Sequence, residues 1–500
     1  MATGARGLVL GSRSVKLRYW AALLALVGCG SKQESAAPEK TREELMDPAA
    51  CASCHEQHYR EWSGSMHAYA AEDPLFLAMN RRAQREAGLG TVCVNCHAPM
   101  AVRTGATEDG LNLDSLAAGQ KGVTCYFCHS VDDVTGTHDN PLRLADDLAM
   151  RGRFSDPVPN SAHRSAYSPL HDRDKLASAS LCGACHDIVN GHGVELERTF
   201  AEWQETVFSQ PEIGTTCGQC HMDQSASLEP AARGVPGLPA RRLHSHAFPG
   251  VDLALSEFPE ADAQRGLVET FLNTTLQSAL CVRGVGAGAK VQVILDNVAA
   301  GHRFPSGATQ DRRAWVELRV EAEDGSSLYE SGVVPEGTPV TALDDPDLWL
   351  FRDCLRDPAG NETHMFWDAA RNASNQLPGQ LTFDASDPRF YKTHVFATYP
   401  ELGPALSAFP SRVVMRVNLE AFGLDVLDDL VESGDLSEGE ASALAAKIPR
   451  FRLGDELTWT QDTANLQYLD AGIPVSCISS TNLNARADKV KAQRQASCAP

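Results

Sequence analysis

Cys51-Ala52-Ser53-Cys54-His55 decides the reading of this chain. The same C-x-x-C-H pattern returns as Cys93-Val94-Asn95-Cys96-His97, Cys125-Tyr126-Phe127-Cys128-His129, Cys182-Gly183-Ala184-Cys185-His186 and Cys217-Gly218-Gln219-Cys220-His221. Two thiols three residues apart, with an imidazole directly after the second, form the attachment signature for c-type haem. The thiols bond the porphyrin edge and the histidine reaches the iron. Zinc ribbons also use C-x-x-C pairs, but they need no histidine after each one. Histidine supplies only 16 of the 500 residues, so chance alone would place it after all five pairs about once in 10⁷ or less. The motifs therefore imply five covalent haems. His55, His97, His129, His186 and His221 are the proximal ligands.

The length of 500 residues suits two or three domains. The formal charge is −21, and it becomes −25 once the four cations of residues 1–28 (Arg6, Arg13, Lys16 and Arg18) are removed. Haem propionates would make the chain more acidic still. Nucleic acid is excluded as a partner by repulsion, whereas a basic redox protein or a small molecule fits.

Residues 1–28 read as a secretory signal. Trp20 to Val27 is an apolar run too short to span a bilayer. It leads into Leu26-Val27-Gly28-Cys29, which resembles a lipobox with Cys29 as the lipidated residue. The plainer alternative is an ordinary signal peptide with a spare cysteine. Acyl chains on Cys29 would hold a water-soluble domain at a membrane surface. Gly30, rather than aspartate, follows Cys29, and by the sorting rule for such lipoproteins that implies the outer membrane, facing periplasm or cell surface. Export also suits c-type haem, which is attached outside the cytoplasm in bacteria.

The expected fold is α+β. Residues 29–47 are polar and read as a flexible tether. Residues 48–255 form a pentahaem region of short helices and loops, in which haems and their ligands supply much of the core. Glu56–Ala71 and Pro74–Glu86 are its clearest helices, with Pro74 in a first turn and Gly88 at an end. Residues 256–284 form a bridging helix. Leu267, Val268, Phe271, Leu272, Leu276 and Leu280 give it a helical stripe over 261–280. From 285 to 475 the period changes to two, at Val291/Val293/Leu295, Val316/Leu318/Val320 and Val413/Met415/Val417/Leu419. This part reads as a β-sandwich-like domain, with a hairpin turn at Asp324-Gly325. It carries a helical insert over 441–448, opened by a Ser437/Glu440 capping box. Residues 476–500 are a tail. Cys281, Cys354, Cys477 and Cys498 allow three disulfide pairings, of which proximity favours Cys477–Cys498.

Eleven histidines remain after the five proximal ones. Two histidines on one iron favour electron transfer, and an open position invites substrate. His67 lies in Trp62-Ser63-Gly64-Ser65-Met66-His67-Ala68, after the first motif. A C-x-x-C-H followed by tyrosine, tryptophan and Ser-x-His-Ala resembles the tetrahaem cytochrome c family that accepts electrons from hydroxylamine oxidation in nitrifying bacteria. It also resembles the wider set of multihaem cytochromes. The resemblance covers about 48–225 and implies that His67 is a sixth ligand. Five motifs depart from the tetrahaem count, so pairings between haems are not carried over. His163 and His171, before the fourth motif, and His246, after the fifth, are further sixth-ligand candidates. His302 lies in Gly301-His302-Arg303-Phe304-Pro305-Ser306-Gly307. With Arg313-Ala314-Trp315, this block resembles the C-terminal β module of many multihaem lipoproteins. His302 is read either as a ligand reaching across the domain boundary or as a loop histidine holding carbonyls. His58, His138, His192 and His244 are weaker candidates, and His364 and His394 read as surface or structural. Met66, Met100 and Met222 are less suited as ligands because histidine is plentiful. Trp62, Tyr126, Phe127 and Trp203 read as porphyrin-packing aromatics.

The leading expectation is electron transfer through five haems at the cell envelope, within a complex or oligomer or alone. The alternative is an oxidoreductase with one open haem acting on small nitrogen or sulfur oxyanions. A lysine in place of one motif histidine would mark such an enzyme, and none occurs. No catalytic triad, phosphate loop or nucleotide fingerprint is visible. Cys29→Ala should move the protein from the membrane to the soluble fraction on cell fractionation. Continued membrane association would contradict the lipobox.

Overall fold

The computed structural model describes residues 40–480 and 492–495. The signal, Cys29, most of the tether and Cys498 lie outside the described residues. The tether ends earlier than expected. Arg42–Met46 is a short helix with a reciprocal Thr41/Glu44 capping box, and its Leu45 and Met46 are buried. They join Met100, Tyr126 and Phe127 in a small apolar cluster. Among the described residues no helix is long and apolar enough to cross a membrane.

Up to about residue 255 the chain is short helices, turns and two-residue to four-residue strands. The expected helix over 56–71 is broken in two, as Glu56–Ser63 and Met66–Tyr69. Gly64 separates them, and Ser65 then caps the second piece through the Ala68 amide. The next helix runs Pro74–Ala87, with Asp73 as N-cap and Gly88 at φ 57° as the left-handed C-cap. Apolar clusters here are small and separate. The polypeptide alone does not make one core in this region.

The bridging helix, Ala261–Thr275, is shorter than its stripe suggests. Leu276 and Leu280 continue the apolar spacing, but Leu276–Arg283 is a strand. Tertiary pairing decides this: all eight residues pair antiparallel with Lys290–Asn297. A continuous apolar run of this length suits a buried strand as well as a helix.

The β-rich region is a sandwich. One sheet of six strands includes Leu276–Arg283, Lys290–Asn297, His394–Tyr399 and Ile473–Ser479. The other has Arg313–Glu321 and Arg412–Glu420 at its centre, flanked by Ser327–Ser331 and Arg450–Trp459. The inner faces share a single core, where Val291, Val293 and Leu295 meet Val316, Leu318, Val320, Val413, Met415 and Val417. Val268 and Leu272 of the bridging helix enter the same core. The alternation read from the sequence is the inside–outside alternation of these strands. The insert helix is Glu438–Ala445, with the Ser437/Glu440 box in place. A second helix, Leu424–Glu432, precedes it.

Cys477 is disulfide-bonded to Cys281, not to Cys498, and Cys354 is disulfide-bonded as well. Cys281 and Cys477 sit directly opposite each other on neighbouring strands, 196 positions apart in sequence. Sequence proximity misleads here because cross-strand register, not chain distance, brings the sulfurs together. The expected tail is also partly built in: Ile473–Ser479 is a sheet strand, and Ala492–Gln493 pairs parallel with Val395–Phe396.

Two buried polar ties join the haem-motif region to the sandwich. Arg312 holds Asp252 through both terminal nitrogens at 2.9 Å and donates from Nε to the Ser306 carbonyl at 2.7 Å. Glu202, 5% exposed, accepts from Ser306 Oγ at 2.6 Å and from Gln376 Nε2 at 3.0 Å. Burial pushes its carboxyl up from 4.5 to about 7, against the pull of those hydrogen bonds. A raised pKa means that the folded state keeps a proton which the unfolded chain releases, so stability falls as pH rises from about 4.5 to about 7. Glu202→Gln should remove up to about 3 kcal/mol of the stability difference between pH 5 and pH 8 in urea unfolding. An unchanged difference would contradict the assignment.

Candidate haem-binding cavity

Each C-x-x-C-H sits on one turn of helix. A turn puts the first cysteine, the second at i+3 and the histidine at i+4 on one face. The His55, His97 and His186 amides donate to the Cys51, Cys93 and Cys182 carbonyls, closing those turns. Thr124 caps the third motif helix through the Phe127 amide, and Thr216 with Gln219 makes a full capping box on the fifth. Glycine at 218 has a steric reason, since a Cβ there would lie 2.9 Å from Arg173 Cβ.

All five motifs open into one largely apolar cavity of about 1950 Å³. Thiols of different motifs meet across it, pairing Cys51 with Cys125, Cys96 with Cys185, and Cys182 with Cys217. Cys128 is near enough to Cys182 for the two to interact electrostatically. Motif four is thus next to motifs two, three and five, while motif one adjoins motif three. Among the ten motif cysteines only Cys220 is exposed rather than half-buried, so motif five lies nearest the surface.

Every motif histidine is anchored through Nδ1. His55 donates to the Ala231 carbonyl at 2.8 Å, His97 to Ala70 at 3.0 Å, His221 to Pro249 at 2.7 Å, and His129 to Arg151. His186 instead faces the Glu197 carboxylate, with Nδ1 3.3 Å from Oε1. A carbonyl can only accept, so Nδ1 carries the hydrogen and Nε2 keeps its lone pair for a metal. Burial alone would lower His186, but Glu197 overrides it and holds the imidazole up to about 9.

Three second imidazoles lie opposite these. His163 is 6.3 Å from His55 between ring centroids, His246 is 6.3 Å from His129, and His67 is 6.2 Å from His186. Two imidazoles on opposite sides of one metal, each bonded at about 2 Å, would have centroids roughly 6 Å apart. His163 and His246 also spend Nδ1 on main-chain carbonyls, of Arg164 and His244. The His67 ring makes no hydrogen bond among the described residues, and desolvation pushes it down to about 3. It is therefore neutral, with a free lone pair.

The remaining candidates are placed differently. His171 is 5.6 Å from His129, but its Nε2 is taken by the Cys128 carbonyl at 2.7 Å. His302 lines the cavity with Nδ1 on the Arg303 carbonyl at 2.7 Å, and burial lowers it to about 4, with His221 a further cause. No described ring contact pairs His97 or His221 with a second imidazole. His97 instead stacks on Phe76, 3.9 Å away and 2° from parallel. His58 also lies opposite His55, at 6.1 Å and 48°, and packs 4.6 Å from His246; His244 Nε2 accepts from Arg153 at 2.6 Å. His394 faces Asp296 inside the sheet, a structural place as expected. His364, read as surface or structural, is mostly buried against Asp311, and with Met365, Phe366 and Trp367 it lines the cavity. Trp62, Phe127 and Trp203 also line the cavity, whereas Tyr126 belongs to the small cluster behind it.

The cavity fits haem on a second ground. Four buried polar atoms on its wall have no hydrogen-bond partner: His171 Nδ1, Arg173 Nε, Ser178 Oγ and Trp367 Nε1; Asp311 Oδ1 and His364 Nδ1 face each other at 3.7 Å. Buried polar groups are rarely left unpaired, and so many on one wall call for a bound group with polar edges. Sequence reading misses Glu197, Phe76, Arg173 and Trp367. The carbonyls of Ala231, Ala70, Arg151 and Pro249 have no side-chain signature at all.

Residues 50–130, which span the first three motifs, match the family model described as cytochrome c554 and c-prime. No curated protein matches the chain. In fold, the chain is similar to the crystal structure of a penta-heme cytochrome c552 from Thermochromatium tepidum. The TM-score is 0.55 and the identity 20%, over 82% of this chain and 97% of that one. At that identity the likeness shows a shared fold. It runs through the sandwich as well as the motif region.

His67→Ala should convert one iron from low-spin to high-spin in the optical and magnetic circular dichroism spectra of the oxidised protein. An unchanged spectrum would remove His67 from the ligands.

Proposed function

We propose that the chain is a c-type cytochrome that passes electrons through five covalently bound haems at the cell envelope. The observation that carries this reading is that three motif histidines, His55, His129 and His186, each face a second imidazole 6.1–6.3 Å away in one cavity with all five motifs, His55 facing both His58 and His163. Haem would supply the redox couple there. The protein's part is to fix ligation, spacing and burial. Nδ1 contacts hold the five motif imidazoles, and those of His163 and His246, in fixed orientations, so little need rearrange when charge changes. The thiol contacts support an order in which motifs one, three and four form a line, with motifs two and five each joined to four. Exposed Cys220 makes motif five one terminus for exchange with a partner. Lipidation at Cys29 and an outer-membrane location belong to this reading. So does a basic redox partner, on the strength of the acidic charge.

A second reading has one observation behind it. His97 has Phe76 on its ring and no second imidazole at the common separation. An open iron there would suit an oxidoreductase for small nitrogen or sulfur oxyanions.

Haem quantification with intact mass should give five covalent haems per chain. The double change Cys51→Ala/Cys54→Ala should give four. Five haems in that variant, or fewer in the unaltered protein, would overturn the reading.

A further inference from the structure

Where the sandwich meets the cavity, its buried charges pair off with one exception. Arg312 is spent on Asp252 at 2.9 Å, Arg313 on Asp425 at 3.0 Å, and Arg352 on Glu362 at 2.6 Å. Glu420, close to Arg313, is answered by Arg450 at 2.9 Å. Asp311 has no arginine at ion-pair distance among the described residues, and Arg312 senses its charge only from farther off. Asp311 is 4% exposed and lines the cavity. Its Oδ2 accepts from Gln310 Nε2 at 2.9 Å, and its Oδ1 has no hydrogen-bond donor. Facing that oxygen is His364, with Nδ1 3.7 Å away.

His364 has a second carboxylate on its other side, where Nε2 lies 4.0 Å from Asp425 Oδ2. Burial alone would raise the Asp425 carboxyl, but Arg313, with His364 and Arg352 behind it, holds it below its ordinary value. Both nitrogens of His364 thus face anions, and a protonated imidazole donates from both. Neither nitrogen is turned to give a lone pair to an iron, which separates His364 from His67. Side-chain exposure rises along the row, from 6% at Asp311 to 14% at His364 and 21% at Asp425. The row therefore leads from the cavity wall toward solvent.

This row stands beside motif two. Phe76, which stacks on His97, lies on the helix Pro74–Ala87. Leu75 and Met79 of that helix share an apolar cluster with Phe422. The next residue, Gly423, donates its amide to the Asp311 carbonyl at 2.7 Å. From the other side, Asn190 donates to the Phe366 and Ala369 carbonyls at 2.9 and 2.8 Å, which ties the segment carrying His364 to the loop after motif four.

We propose that Asp311, His364 and Asp425 form a proton conduit that couples reduction of the haem carried by motif two to uptake of one proton from solvent. This rests on the proposed pentahaem reading. One electron arrives from a neighbouring haem, and one proton enters past Asp425 and stays on His364, beside Asp311. The electron removes one positive charge from the iron, and in a poorly solvated cavity that favours a new cation nearby. At 3.7 and 4.0 Å the ring is within a small rotation of hydrogen-bond length on either side.

The test is a spectroelectrochemical titration of the full-length haem-loaded protein at a series of pH values, with haem counted for each variant. In the unaltered protein one haem's midpoint potential should fall as pH rises through about 5 to 8, the range in which imidazole loses its proton. His364→Gln and Asp311→Asn should each keep five haems and make that haem's potential independent of pH. In Cys93→Ala/Cys96→Ala the pH-dependent haem should be the one missing; its survival would overturn the placement at motif two. Should His364→Gln lose a haem, Asp311→Asn decides by the same criterion. Potentials independent of pH in the unaltered protein would overturn the proposal. So would a dependence that persists in both variants, because the proton would then belong to another group, such as a haem propionate. Conversion of one iron to high-spin in His364→Gln would also overturn it, by making His364 a ligand. An unaltered protein without haem would instead sink the pentahaem reading itself.

Discussion

An imidazole buried in an apolar cavity must satisfy one ring nitrogen to be held still, and then has the other left over. Everything else in the motif region follows from where that first nitrogen goes. Carbonyls from Ala70, Arg151, Ala231 and Pro249 fix four motif rings, and Glu197 fixes the fifth. These acceptors lie 11 to 176 residues from their histidines, so the chain must be folded throughout before the set is complete. The short helices, tight glycines and many caps of residues 40–255 deliver backbone atoms to those places; they do not build a conventional core.

The sandwich complements that arrangement. Its own core is continuous and apolar, and it needs no cofactor for its packing. Toward the cavity it presents His302, Asp311, Arg312 and the segment from His364 to Trp367. Gly379 lets a sandwich loop approach closely, since a Cβ there would meet Thr206 Cγ2 at 2.6 Å and the His302 carbonyl oxygen at 3.0 Å. The two regions therefore share one cavity wall, and the fold likeness to a penta-heme cytochrome extends over both.

Much of this was legible in the sequence because the signals were chemical or periodic. C-x-x-C-H marks a function by itself, and the period of two over 316–320 and 413–419 marked the two central strands of one sheet. His67, His163 and His246 stood out by local context, and each lies opposite a motif histidine. Cys281–Cys477 was hidden because register across a sheet leaves no local trace. Leu276–Leu280 misled because an apolar run serves helix and strand alike. His171 looked like His163, yet only the folded chain shows its Nε2 on the Cys128 carbonyl. Glu197, Arg173 and Trp367 are ordinary residues in sequence; geometry alone gives them a role.

Low-temperature EPR of the oxidised protein, with haem quantified on the same sample, addresses the paired imidazoles most directly. The account predicts at least three low-spin irons, those of His55, His129 and His186, each with two nitrogen ligands. Fewer than three low-spin irons would contradict it, because the facing rings would then not be sharing a metal.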